Sequence, residues 1–131
     1  MSQAPASPLA QALEEVARCC RCGACAGVCP VYGARPREDL SARGKLQLLA
    51  GLGQGALIPR RGLAEIMSRC LLCGRCTANC PNQAGAAQAI ALGRQALAQE
   101  AGAPLAKRLL LGHALPRPGR LDRLAAAGRL A

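Results

Sequence analysis

One four-cysteine run occurs twice in the chain. The first copy is Cys19-Cys20-Arg21-Cys22-Gly23-Ala24-Cys25-Ala26-Gly27-Val28-Cys29-Pro30, and the second is Cys70-Leu71-Leu72-Cys73-Gly74-Arg75-Cys76-Thr77-Ala78-Asn79-Cys80-Pro81. Both contain C-x2-C-x2-C-x3-C-P, which forces eight sulfurs into two tight loops. Thiols held that closely along a chain have poor geometry for bridging one another. Structural zinc sites usually draw on separated cysteine pairs that give four ligands to one tetrahedral ion. Two runs of four, each closed by proline, match instead the ligand pattern of 4Fe-4S clusters. Three cysteines at this spacing can reach three irons of one cube, while the fourth, on the turn before proline, points to the other cube. The expected ligation is therefore crossed. Cys19, Cys22, Cys25 and Cys80 would hold one cluster, and Cys70, Cys73, Cys76 and Cys29 the other. A zinc-binding, non-redox module stays as a distant alternative.

The rest of the composition fits a chain that needs such a cofactor. Of 131 residues only Tyr32 is aromatic, and there are 15 glycines, so the usual source of apolar area in a domain core is missing. Gly23 and Gly74 occupy equivalent places in the two runs, where a side chain would crowd a cluster. Cys20 is the ninth cysteine. Leu71 stands at its place in the second run, so Cys20 is expected to be a small buried residue rather than a ligand. Seventeen Lys and Arg against seven Asp and Glu give a formal charge of +10. The arginines are dispersed and no aromatic stacking platform accompanies them, which argues against a nucleic-acid partner. Arg18, Arg21, Arg69 and Arg75 flank the runs, where they would favour a reduced cluster or form a docking surface.

The first ten residues have no basic n-region or apolar h-region of a secretory signal, and no apolar stretch approaches the roughly 20 residues that span a bilayer. A cytoplasmic chain without a transmembrane segment is expected, in a compartment that keeps thiols available as ligands. Beta-branched residues are scarce, whereas Ala, Leu, Arg and Gln are plentiful, so the expected fold class is all-α. Ser7-Pro8 reads as a helix start with Leu9, Leu13 and Val16 at helical spacing. Ser41 can cap a helix carrying Leu46, Leu49 and Leu52, with Gly53 as its stop. A third helix follows Pro59 with Leu63, Ile66 and Met67 on one face. A longer one runs from Ala84 to about Ala101 with Ile90 and Leu97 inward. Further helices are expected from Pro104 and over Arg120 to Leu130. A helix leading into a cysteine run occurs twice, an internal repeat.

No dinucleotide fingerprint or paired catalytic carboxylates appear, and His113 is the single histidine, so no catalytic residue is assigned. The 40 residues between Cys29 and Cys70 read as helices. With the two runs, this resembles the alpha-helical ferredoxin fold with two 4Fe-4S clusters, shared by the iron-sulfur subunits of succinate dehydrogenase, heterodisulfide reductase and glycolate oxidase. Cys29-Pro30-Val31-Tyr32-Gly33, Leu40-Ser41-Ala42-Arg43-Gly44-Lys45-Leu46, Arg69 to Cys76 and Cys80-Pro81-Asn82 are most similar to the glycolate oxidase iron-sulfur subunit and its lactate-utilisation relatives.

The resemblance implies an electron-transfer subunit. Its donor would be an FAD-dependent 2-hydroxy-acid dehydrogenase of glycolate or lactate type, its acceptor a quinone or another carrier, and any contact with the inner membrane would come through partners. Residues 1–101 would form the two-cluster domain. Residues 102–131 would be a helical extension, or the start of a linker to the cysteine-rich CCG domains that these relatives carry and this sequence lacks. An electron relay like the one in heterodisulfide reductase, with a separate CCG-domain protein as partner, is the alternative.

Overall fold

The computed structural model describes residues 6–59 and 61–102. Two units separate between Ala101 and Gly102, and apart from Gly102 the described residues belong to the first. The helices expected from Pro104 and over Arg120 to Leu130, and His113, lie outside the described residues.

Every regular element among the described residues is helical. In chain order these are α1 (Pro8–Ala17), α2 (Ala24–Val28), α3 (Pro30–Ala34), a 3-10 turn (Glu38–Leu40), α4 (Ala42–Gly53), α5 (Arg61–Ser68), α6 (Arg75–Ala78) and α7 (Ala86–Ala101). Local chemistry accounts for the starts of the first and fourth helices. Ser7 Oγ accepts from the Ala10 N–H at 3.2 Å and Pro8 sits in the first turn of α1. Ser41 Oγ accepts from the Gly44 N–H at 2.9 Å at the start of α4. Each side chain satisfies a backbone donor that the first turn would leave without a partner.

Helix α4 runs to Gly53, the residue expected to end it. A Cβ there would come within 2.5 Å of Leu13 Cδ1, so its smallness also lets α1 approach. The left-handed residue after the helix is Gly55, with φ +71°. The long helix begins at Ala86 rather than Ala84.

Helices α1, α4 and α7 pack on one another and α5 lies against α7. Between them Leu46, Leu49, Met67, Ile90 and Leu97 are buried, while Ile66 is only half-buried. Each such side chain contributes roughly 1.5–3 kcal/mol on leaving water, and this aliphatic core fixes one end of the unit. At the other end the two cysteine runs meet: α2 packs against α6, so the repeated loops face each other.

Candidate metal centre

The two runs repeat in conformation as well as in sequence. In the first, Arg21 and Gly23 have φ +63° and +86°; in the second, Leu72 and Gly74 have φ +54° and +75°. A left-handed residue therefore precedes and follows the middle cysteine of each run, Cys22 or Cys73. Left-handed conformation costs an L-residue roughly 1–2 kcal/mol, which explains glycine at the second of these positions. Backbone that alternates in this way turns successive N–H groups into one concavity, a nest suited to an anion. The glycines thus have a backbone reason of their own. A Cβ at Gly74 would meet nothing within 4 Å, whereas one at Gly23 would lie 2.8 Å from Arg43 Nη1.

Side chains tie the loops together. Asn79 Nδ2, after α6, donates to the Ala24 carbonyl at 3.1 Å, and Asn82 Nδ2 donates to the Arg18 carbonyl at 3.4 Å. Both bonds join the end of the second run to the first. Sulfurs are already acceptors here, with the Leu72 N–H on Cys70 Sγ and the Ala84 N–H on Cys80 Sγ, each at 3.4 Å.

Two cavities sit between the loops. Cys70, Cys73 and Cys76 line one, together with Cys29 from the other run, enclosing about 400 Å³ of atom-free space, open solvent at its mouth included. Cys19, Cys22 and Cys25 line the second, together with Cys80, around about 370 Å³ measured the same way. Cys76 and Ala42 belong to both walls. All nine cysteines are free thiols: Cys76 is buried, Cys22 and Cys73 are exposed, and Cys19, Cys25, Cys29, Cys70 and Cys80 are half-buried. Cys20 is exposed, not buried as expected, and lies at the edge of the Cys19 cavity. Burial pushes the Cys25 and Cys76 thiols up, whereas the Ala24 N–H and then the Cys20 thiol pull Cys22 down. Among the described residues no three His, Cys, Asp or Glu side chains gather as they would about a single ion. The sulfurs line the two spaces.

The first turn of α4 reaches both spaces. Arg43 lines the Cys19 cavity and Lys45 the Cys70 cavity. Arg43 donates through Nε and Nη2 to the two Glu38 carboxylate oxygens at 2.7 and 2.8 Å, and through Nη1 to the Arg21 carbonyl at 3.3 Å. These bonds hold the Glu38 carboxyl below its usual range. Gly44, between the two cations, is required by space, since a Cβ would sit 1.9 Å from the Glu38 carbonyl oxygen.

Lys45 is 1% exposed, and its Nζ donates to the Leu40 carbonyl. Burial pushes its pKa down, while the Cys70 and Cys29 sulfurs act the other way. A buried ammonium without a counter-charge costs several kcal/mol, so this position fits an anionic occupant beside it. A cluster held by four thiolates carries a formal charge of about −2. Residues and group agree in ligand chemistry, in the nests and in the buried cation.

Arg94 of α7 completes the surroundings. Its guanidinium donates to the Met67 carbonyl at 3.0 and 2.8 Å, to Ser68 at 3.0 Å and to Cys70, fastening the end of α5 to the second run. Sequence reasoning singled out Arg18, Arg21, Arg69 and Arg75. All four are exposed; Arg75 lines the Cys70 cavity, and Arg18 pairs with Glu15 at 3.4 Å. It missed Arg43, Lys45 and Arg94 as charges beside the sulfurs. The Ser-x-Arg-Gly-Lys segment was visible as a motif, but nothing local revealed that two of its residues face cysteines.

Comparison with known proteins agrees. A family model described as a 4Fe-4S dicluster domain matches residues 15–84, more than half of the chain. The glycolate oxidase iron-sulfur subunit of Escherichia coli (strain K12) is 30% identical over 113 residues, which cover 84% of this chain and 28% of that protein. The probable glycolate oxidase iron-sulfur subunit of Bacillus subtilis (strain 168) is 33% identical over 69 residues, covering 52% of this chain and 16% of that protein. The chain thus spans less than a third of the length of either relative. No solved structure matches it. With the cysteine runs, the paired cavities and this match together, the chain belongs to the family of 4Fe-4S dicluster domains, and two 4Fe-4S clusters are its cofactors.

Proposed function

We propose that the eight cysteines hold the two clusters crosswise and that the chain relays single electrons. In this reading Cys19, Cys22, Cys25 and Cys80 bind one cluster, and Cys70, Cys73, Cys76 and Cys29 the other. The observation that carries it is the lining of the two cavities: Cys29 joins Cys70, Cys73 and Cys76 at one, and Cys80 joins Cys19, Cys22 and Cys25 at the other, where Cys20 and Cys76 also reach the wall. When bound, a cluster with four thiolate ligands accepts and returns one electron at a time and leaves no open position for a substrate. Cys22 and Cys73 are exposed, so each site has one ligand at the surface where a partner can approach.

The donor in this proposal is an FAD-dependent 2-hydroxy-acid dehydrogenase subunit, and the acceptor a quinone or another carrier. The two similar glycolate oxidase iron-sulfur subunits support that choice. Residues 1–101 are the electron-carrying domain and 102–131 an extension from it. No described helix is long and apolar enough to cross a membrane, and the proposed setting is the cytoplasm, with partners providing any link to the inner membrane.

Anaerobic purification with metal and sulfide analysis tests the core of the proposal. About eight irons and eight sulfides per chain are expected; two zincs and no colour would overturn it. Ligation is tested by Cys29→Ser, which should damage the site built from Cys70, Cys73 and Cys76. Damage to the first-run site instead would show that ligation is not crossed. A flavin dehydrogenase co-purifying with the chain is the expected partner, and a CCG-domain protein with a flavin disulfide reductase would replace it.

A further inference from the structure

The cations around the two cavities are compensated differently. At the Cys19 cavity, Arg43 is held by both oxygens of Glu38; Arg18, just before the run, is paired with Glu15. Arg21 is exposed to water. At the Cys70 cavity, Lys45 donates to the Leu40 carbonyl and Arg94 to carbonyls of Met67, Ser68 and Cys70. Arg75 lines the same cavity. Among the described residues no carboxylate forms an ion pair with Lys45, Arg75 or Arg94; Asp39 acts on Lys45 only through space, with its own carboxylate bonded to Arg37 at 2.6 and 3.1 Å. Depth separates the sites further, because Lys45 is shielded from water while Arg43 is partly exposed, and a shielded charge acts over distance with far less screening.

We infer that the Cys29/Cys70/Cys73/Cys76 site has the higher reduction potential of the two and receives the first electron, with Lys45 as the residue that sets the order. The inference rests on the crossed ligation proposed above. One electron from a reduced flavin adds one negative charge to that site and leaves the donor flavin oxidised by one electron. The Lys45 ammonium, which no carboxylate hydrogen-bonds, stabilises the added charge. At the other site the Glu38 carboxylate cancels most of what Arg43 would contribute. Lys45 and Glu38 are positioning residues for charge and bind no iron.

The test is an anaerobic redox titration followed by EPR on the purified chain carrying both clusters. The wild type should show two separate potentials. Lys45→Met keeps the buried stem and removes the charge; it should lower the higher potential and leave the other nearly in place. Glu38→Gln frees the Arg43 charge at an exposed position and should raise the lower potential, so the separation narrows from the opposite side. The second variant keeps the inference falsifiable if Lys45→Met does not retain its clusters. A single potential for both wild-type sites would overturn the inference. So would a Lys45→Met effect on the lower potential as large as that on the higher, or no narrowing in Glu38→Gln. A wild type with well under eight irons would instead overturn the ligation reading beneath it.

Discussion

At the scale of single residues, Gly44 and Lys45 show how narrow the requirements of this site are. Gly44→Ala would drive a methyl into the Glu38 carbonyl, where a Cβ has only 1.9 Å. Because backbone must move, a loss at or above the upper end of about 1–3 kcal/mol is expected, read as lower thermal stability and iron content. The loop glycines separate two effects. Gly23→Ala and Gly74→Ala both force an L-residue to positive φ, at roughly 1–2 kcal/mol. Only the first also meets Arg43, at 2.8 Å, so it should lose more iron than Gly74→Ala on purification. The two cysteine runs were legible as a unit because their spacing alone sets them apart, and the structure brings both to paired cavities. Lys45 was not, since its burial depends on the Cys70 loop, 25 positions further along. Arg94 likewise reaches carbonyls at 67 to 70 from another helix, and no periodicity in α7 announces that. Cys20 was read as buried because its partner position holds Leu71, yet Leu71 is itself 67% exposed. Hydrophobic identity is a weak guide in a loop shaped by its ligands.

At the scale of elements, the helices divide by what makes them. Helices α1, α4, α5 and α7 carry an apolar face on the core, and their spacing, with the Ser7 and Ser41 caps of α1 and α4, could be read directly. Ser41→Ala should cost about 1 kcal/mol through the lost cap. It also removes the Ser41 hydroxyl from the Glu38 carbonyl at 2.8 Å, so chemical denaturation should show a loss at the upper part of the range for such caps. Helices α2 and α6 have five and four residues, too short to show a period or to be stable alone. Each begins directly after the left-handed glycine of its run and carries the third cysteine, Cys25 or Cys76. They belong to the loops as much as to the helical framework, which is why they could not be seen as elements. The end of α4 at Gly53 was legible. That Gly53 also answers to Leu13 on another helix was not, because local stop signals do not encode such a contact.

At the scale of the whole molecule, the formal charge of +10 falls to about +6 when two clusters of about −2 each are bound. Part of the basic excess therefore balances the cofactor. The small aliphatic core packs one end, and the metal bonds hold the other. Removing iron with a strong chelator under oxidising conditions should consequently reduce helicity and lower the melting temperature; circular dichroism of the stripped chain checks this, and an unchanged spectrum would show that the helices stand without metal. The wall that the two cavities share has a last consequence. Ala42 and Cys76 line both spaces. With the clusters held as proposed, a negative charge taken up on one side would be felt on the other, and the second electron would enter at a lower potential than the first.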